Sequence, residues 1–541
     1  MTKYLLPFLV FASVINAQIS MSMDSLLFPQ QVVNTTSIKT FYVINRGPAA
    51  KTVYVSHKNM SFIVDTAYTI PSNDSIAVNI TYKPVSNIYD YDLVFFTTAD
   101  QFSAAVIKCT GSGKYGDNYD VTTFNKFDNE LKTALTALVN NHTSLGYNTA
   151  RDKMFETIDD YGGDTIECVY SGKRVKAADR TTAQNLGFNT EHTWPQSNFS
   201  ENEPMRSDLF HLYPTDDVPN NRRSNYSFGY VVGTPTYENN GSKLGNDSTN
   251  SIVFEPRNVH KGNVSRSMFY FIIRYPSNYG TFFTAKQERA FRVWNKLDLV
   301  DAREMLRNTR VESFQHKRNP FIDHPDFADR IYSFITTNTT PQAPLFKAVP
   351  VACSFDSTNV SDTSYATVYV NNPGNSLLTV NSMSVNSMQF KIVNTPASID
   401  PSSYKKVTIM FVPDSNLVYN SNLTISTNAG SISIPVTGIG KKVSTNVENN
   451  IDHVSEFKVY QNYPNPFNAS TVIKYYINNS GFVSVKLYDI LGNEVKTMFS
   501  GNQNQGEHEI LFNGNNLSTG IYFYIVKTGN TSIAKRMLML K

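Results

Sequence analysis

Glu191 and His192 stand side by side in the stretch GFNTEHTWPQSNFS, residues 187–200. A carboxylate is a hard oxygen ligand for a divalent cation, and a neutral imidazole, with an ordinary pKa near 6.5, accepts a proton from water. The pair can therefore bind a metal ion and activate water together. Neighbours on a regular strand point to opposite faces, so the two share one site only at a strand end, a bulge or an irregular turn. Trp194-Pro195 supplies such a break, because proline donates nothing to a strand ladder and restrains the residue before it. Trp194, one of two tryptophans in the chain, is expected to buttress the pair.

The elements that must hold this pair lie between residues 115 and 340. NKFDNELKTALTALVNNH places Leu131, Leu135 and Leu138 at helical spacing, and AKQERAFRVWNKLDLVDAREMLRNTRVESF continues as a mixed-charge amphipathic helix. His142, His192, His211, His260, His316 and His324, six of the nine histidines, fall in this α+β segment.

On either side the chain repeats itself. FYVINRGPAAKTVYV (41–55) aligns with VYVNNPGNSLLTVNS (368–382), and CTGSGK (109–114) with VTGIGK (436–441) at the same offset, with one small gap between. Short alternating segments rich in Val, Ile, Tyr and Thr, broken by Asn, Pro and Gly, predict an antiparallel β-sandwich for each copy. The copies resemble the immunoglobulin-like modules of large secreted bacterial proteins, a role of spacer or weak binder for surface polysaccharide or protein.

Four motifs in the central segment carry a resemblance in chemistry: EHTWPQS, SDLFHLYPTD, NNRRSNYSFG and HKRNPFIDHPDF. In order and spacing they resemble the endonuclease I family of secreted bacterial nucleases, over roughly residues 125–335. The resemblance implies a ββα-metal, or His-Me finger, fold that cuts DNA and often RNA with little sequence preference, using one divalent cation and leaving 5′-phosphate ends. It implies His192 as general base and a cation held by Glu191 and the amide oxygen of Asn220. Hard oxygen ligands suit Mg²⁺, with Mn²⁺ or Ca²⁺ as substitutes; Asn221 is the local rival of Asn220. Arg223, in the family's Arg-Ser-Asn position, is either a phosphate contact or a structural pair. Arg266 either clamps phosphate through its planar fork or pairs within a helix. Arg222 and Asn225 are candidate substrate contacts. His211 and His324 read as packing residues, the latter with Asp323 as partner. Arg206 departs from the family, standing just before Ser207-Asp208 where some relatives have an acid.

The last 85 residues contain YQNYPNPFNASTVIKYYI, VSVKLYDILGNEVKT and LSTGIYFYIVKTGNTSIAKRMLMLK. They resemble the type A C-terminal sorting domain of the type IX secretion system, through Tyr463-Pro464-Asn465-Pro466-Phe467-Asn468, Asp489-Ile490-Leu491-Gly492 and Gly520-Ile521-Tyr522. That implies export by the type IX machinery of a Gram-negative bacterium, followed by release or surface attachment.

The expected layout is a multidomain chain. It comprises a signal peptide over 1–17, immunoglobulin-like sandwiches over 18–114 and 341–441, a nuclease domain over 115–340, a linker over 442–456 and a sorting domain over 457–541. Residues 1–17 have the charged start, apolar run and small final residue of a secretory signal. No run of about 20 apolar residues follows it, so no membrane-spanning helix is expected. A net charge of +3 is too mild to indicate nucleic acid by itself. Cys109, Cys168 and Cys353 are too few and too scattered for a disulfide framework or a zinc site. The competing class is a surface adhesin whose central domain has lost catalysis; the joint presence of Glu191, His192 and Asn220 argues against it.

Overall fold

The computed structural model describes residues 19–277, 282–442, 457–489, 493–515, 517–529 and 531–540. The expected signal segment, all but the first residue of the expected linker, and the landmarks at 490–492 lie outside these residues. The chain divides into two compact units, Met1–Val443 and Ser444–Lys541.

The first unit begins with two facing sheets. One runs in the order Ile19–Met21, Ser37–Asn45, Ser75–Tyr82, Phe62–Ile63; the other is Ser25–Val32, Ala104–Lys114, Tyr89–Thr98, Lys51–Ser56, Ala67–Ile70. Alternation explains how they stack: Phe41 and Val43 point inward while Tyr42 between them is exposed. The second copy repeats the topology. Its sheets are Lys347–Val349, Ser364–Asn372, Ser403–Phe411, Phe390–Ile392 and Cys353–Ser354, Gly430–Lys441, Val418–Thr427, Leu378–Val385, Ser398–Ile399.

The repeated letters have repeated jobs. Asn45 and Asn372, aligned in the repeat, are both fully buried. Each accepts from the glycine two residues on (Gly47 or Gly374) and donates across a turn, Asn45 to the carbonyl of Ala49 and Asn372 to that of Ser376. Gly111 and Gly438 are also aligned, and a Cβ there would lie 2.7 Å from the Tyr82 ring or 2.6 Å from the Phe411 ring. Only glycine permits that approach.

Between the sandwiches lies the α+β region, with one core running from Leu131 to Phe334. The helix Asp128–Val139 buries Leu131 and Leu135, and Lys261–Arg274 is buried along almost its whole length. The expected continuous helix after Ala285 is two helices, Ala285–Leu297 and Ala302–Gln315. Asp301 makes the break, because its side chain caps a new helix by accepting from the Glu304 amide at 2.7 Å. The first sandwich is tied to this region through Ser86, which donates to Asp326 at 2.5 Å, and Asn87, which accepts from Arg330 at 2.5 Å. It meets the second sandwich through Leu93, Phe95 and Val106 against Val349 and Tyr369.

The second unit holds a three-stranded and a four-stranded sheet around a core that includes Phe467, Tyr475, Val485 and Tyr524. All three cysteines are free and buried. Among the described residues, no helix is long and apolar enough to cross a membrane.

Candidate functional site

Phe188–His192 pairs antiparallel with Leu212–Asp216, placing Glu191 opposite Tyr213 and His192 opposite Leu212. A short helix, Asp217–Arg223, follows directly. Asp216 caps it by accepting from the Val218 amide at 3.0 Å, and the Asp217 amide ties its start to the Gly187 carbonyl at 2.9 Å. Pro219 sits in the first turn, where its missing N–H leaves no bond unmade. The strand stops at His192. Trp194 is fully buried beyond it, its ring stacked on Phe271 at 4.4 Å.

Glu191 and His192 have different neighbours, as adjacent strand residues must. Glu191 faces Tyr170 and Arg223. Its Oε1 accepts from the Tyr170 hydroxyl at 2.7 Å and lies 3.1 Å from Arg223 Nε, at an angle that makes an ion pair but no directed hydrogen bond. Its Oε2 has no partner among the described residues. Burial raises the Glu191 pKa, against the pull of Arg223 and the Tyr170 hydroxyl.

His192 lies toward Arg206. Its Nε2 donates to the Arg206 carbonyl at 3.2 Å. That bond assigns the proton to Nε2 and the lone pair to Nδ1. Nδ1 has no hydrogen-bond partner among the described residues. Burial, helped by nearby His211, holds the His192 pKa well below its ordinary value. The imidazole is therefore neutral at neutral pH.

Asn220 is half-buried on the short helix, and its side-chain amide has no partner among the described residues. Three positions later, Arg223 reaches Glu191. Residues three apart share a helix face, so the helix turns Asn220 toward the Glu191 side, while Asn221 is exposed. Glu191 Oε2 and the Asn220 amide oxygen are both oxygen donors without partners among the described residues. Among the described residues, no three His, Cys, Asp or Glu side chains converge as a ligand cluster, so the set is sparse and all oxygen. The surroundings are short of partners: Thr193 Oγ1, Trp194 Nε1, Gln196 Oε1, Arg206 Nε, His211 Nδ1 and Arg223 Nε are buried without hydrogen bonds.

Two expected arginines have other employment. Arg266 is 0% exposed and grips both oxygens of Glu304, at 2.7 and 2.5 Å, with its remaining nitrogen on Asn295 and the Asp298 carbonyl. A phosphate cannot reach it, so the clamp expected there is a structural pair. Arg223 is 1% exposed and donates to the carbonyls of Thr193 and Ser224, both at 2.6 Å, with its guanidinium 4.7 Å from the Phe228 ring. It orients Glu191 and does not present itself to substrate. Arg222 is exposed against the Tyr237 ring, and Asn225 is exposed just past the helix. His211 donates to the Met205 carbonyl at 2.7 Å, its ring 5.5 Å from that of His192. His324 pairs with Asp117 at 2.8 Å; Asp323, the partner expected from sequence, is taken by Arg318. Sequence reasoning missed Tyr170, Tyr147 and Arg151, and no local pattern marks any of them.

The family model for endonuclease I matches residues 127–326, and that for the secretion system C-terminal sorting domain matches 461–540. The extracellular ribonuclease of Bacillus subtilis (strain 168) is 32% identical over 235 residues, covering 40% of this chain and 78% of the relative. That of Bacillus amyloliquefaciens is 30% identical over 252 residues, covering 44% and 84%. An extracellular deoxyribonuclease of Aeromonas hydrophila is 29% identical over 119 residues, covering 22% and 50%. The tail and these extracellular relatives mark a nuclease that is secreted or attached to the cell surface. The chain belongs to the endonuclease I family and carries a secretion sorting domain at its C-terminal end.

Proposed function

We propose that the chain is a sequence-nonspecific, metal-dependent endonuclease acting on RNA and DNA, with His192 as its general base. The observation that carries this reading is the His192 tautomer. With Nε2–H anchored on the Arg206 carbonyl, the Nδ1 lone pair is left without a partner among the described residues, one strand position from a carboxylate whose Oε2 is likewise unpartnered. We read the strand pair and helix around them as a ββα-metal, or His-Me finger, unit within a nuclease domain over 115–340, flanked by immunoglobulin-like sandwiches acting as spacers.

Glu191 Oε2 and the Asn220 amide oxygen would hold one divalent cation, Mg²⁺ best matching two hard oxygens. When bound, it supplies charge stabilisation at the phosphate and the departing oxygen. The chain's own residues do the rest. His192 Nδ1 takes the proton of the attacking water, and burial keeps the ring neutral for that task. The Arg206 carbonyl fixes the ring's orientation. Tyr170 and Arg223 both engage Oε1 of Glu191, leaving Oε2 for the cation. Attack from the side opposite the 3′ oxygen leaves a 5′-phosphate and a 3′-hydroxyl.

The test is cleavage of supercoiled plasmid and single-stranded RNA by the full chain, with Mg²⁺ or with EDTA. Cutting is expected only with metal, and His192→Ala is expected to slow it by about 10² to 10⁴-fold. A wild-type chain that cuts neither polymer with Mg²⁺, Mn²⁺ or Ca²⁺ overturns the mechanism.

A further inference from the structure

Tyr147, the first residue of the helix Tyr147–Lys153, has its ring 5.5 Å from the His192 ring. Two guanidiniums gather on it, Arg206 at 4.3 Å and Arg151 at 5.0 Å from the ring centroid. Each is fixed to the catalytic strand by its own hydrogen bond. Arg206 accepts the His192 Nε2–H with its backbone carbonyl, and Arg151 Nε donates to Thr190 Oγ1 at 3.0 Å.

Their charges are poorly answered. Arg151 forms no ion pair among the described residues, and the only hydrogen bond of its side chain there is to Thr190. Arg206 has one ion pair, through Nη2 to the exposed Glu201 at 2.9 Å, and its Nε is buried without a partner. A surface pair of that kind is weak and easily exchanged. Like charges held on one ring repel unless an anion comes between them. Burial lowers the Arg151 pKa, with Tyr147 and Asp152 pulling it up and Arg180 and Arg206 pulling it further down. Arg223 and Arg266 are both sealed in the interior, so this half-buried pair is the arginine cluster that reaches the solvent beside the general base.

We propose that Arg151 and Arg206, gathered on Tyr147, form a site for a backbone phosphate of the strand being cut, which they position beside His192. The site rests on the nuclease mechanism above and adds to it the grip on substrate. Its geometry is indifferent to base identity, since phosphate contacts orient a strand without reading sequence.

Binding of a short fluorescein-labelled RNA to the full chain in EDTA, titrated with salt, tests this without turnover. Each phosphate that is no longer neutralised lowers the slope of log K against log salt by about 0.7 on single strands and about 0.9 on duplex DNA. Arg151→Gln and Arg206→Gln are each expected to show that decrement and to raise KM more than they lower kcat. Arg206→Lys is expected to keep the slope. Lys39→Gln, an exposed charge on the first sandwich, is expected to leave both slope and KM unchanged. Wild-type slopes in both glutamine variants, at wild-type melting temperature, overturn the arginine site. Absence of cutting by the wild type overturns the mechanism beneath it, so the two failures are separable.

Discussion

Arg223–Glu191 and Arg266–Glu304 are both buried arginine–glutamate pairs in the same α+β region, and they are finished to different degrees. In Arg266–Glu304 the two forks meet face to face, and the remaining guanidinium nitrogen is taken up by Asn295 and a carbonyl. In Arg223–Glu191 the approach is oblique, the guanidinium leans mainly on carbonyls, and Oε2 of the glutamate is left over. A completed pair is rigid and inert. An incomplete pair holds a carboxylate in place while leaving it one oxygen with which to bind. The residue types are the same, so chemistry is told apart from structure here by which valences are left unfilled.

The largest effect should come from breaking the completed pair. Arg266→Met leaves Glu304 as an uncompensated buried charge and should cost about 3–5 kcal/mol in urea unfolding of the full chain. Arg266→Met with Glu304→Leu should recover much of that loss, because neither charge is then stranded. If the single change costs less than about 1 kcal/mol, the distinction between the two pairs falls.

Next comes the incomplete pair. Arg223→Met should destabilise less than Arg266→Met, since Glu191 keeps the Tyr170 hydroxyl. It should still lower cleavage about 10 to 100-fold, as expected for a residue that orients a metal ligand. Full activity in a folded Arg223→Met chain would show that Glu191 needs no such orientation.

The pH profile sharpens the contrast between the proposed base and the proposed metal ligand beside it in sequence. Burial moves them in opposite directions, His192 below its ordinary value and Glu191 above its own. His192 is active when deprotonated, so its loss should begin only below about pH 6.5. As the proposed cation ligand Glu191 works deprotonated, so its loss should appear as a rising Mg²⁺ requirement while pH falls. Excess Mg²⁺ should push the second limb to lower pH and leave the first in place. A single limb at the ordinary histidine value, insensitive to Mg²⁺, would contradict both shifts.

Much of this arrangement is legible in the residues alone. Glu191 and His192 stand out because two reactive types are adjacent, and the repeat stands out because Asn45 and Asn372, or Gly111 and Gly438, do the same job where no other residue fits. Arg266 was not legible, because a phosphate clamp and a buried structural fork require the same planar group. Its role is decided by Glu304, distant in sequence on another helix. The same holds for Tyr170, whose hydroxyl meets Glu191 only after the chain folds. The division of the long amphipathic stretch at Asp301 was readable in principle, since an aspartate three residues before Glu304 is a capping signal, but the continuous 3.6-residue pattern across it is the stronger one.

The smallest expected effect is the most specific. Asn220 and Asn221 are chemically identical and adjacent, so composition cannot choose between them. The helix can, because Asn220 shares a face with Arg223, whose guanidinium reaches Glu191, whereas Asn221 lies about 100° round the axis and is exposed. Asn220→Ala should raise the Mg²⁺ needed for half-maximal cutting by about 10-fold or more, while Asn221→Ala should leave it unchanged. Equal effects would mean that the incomplete pair does not aim its spare oxygen at the helix, and the inference from unfilled valence to metal binding would lose its geometric support.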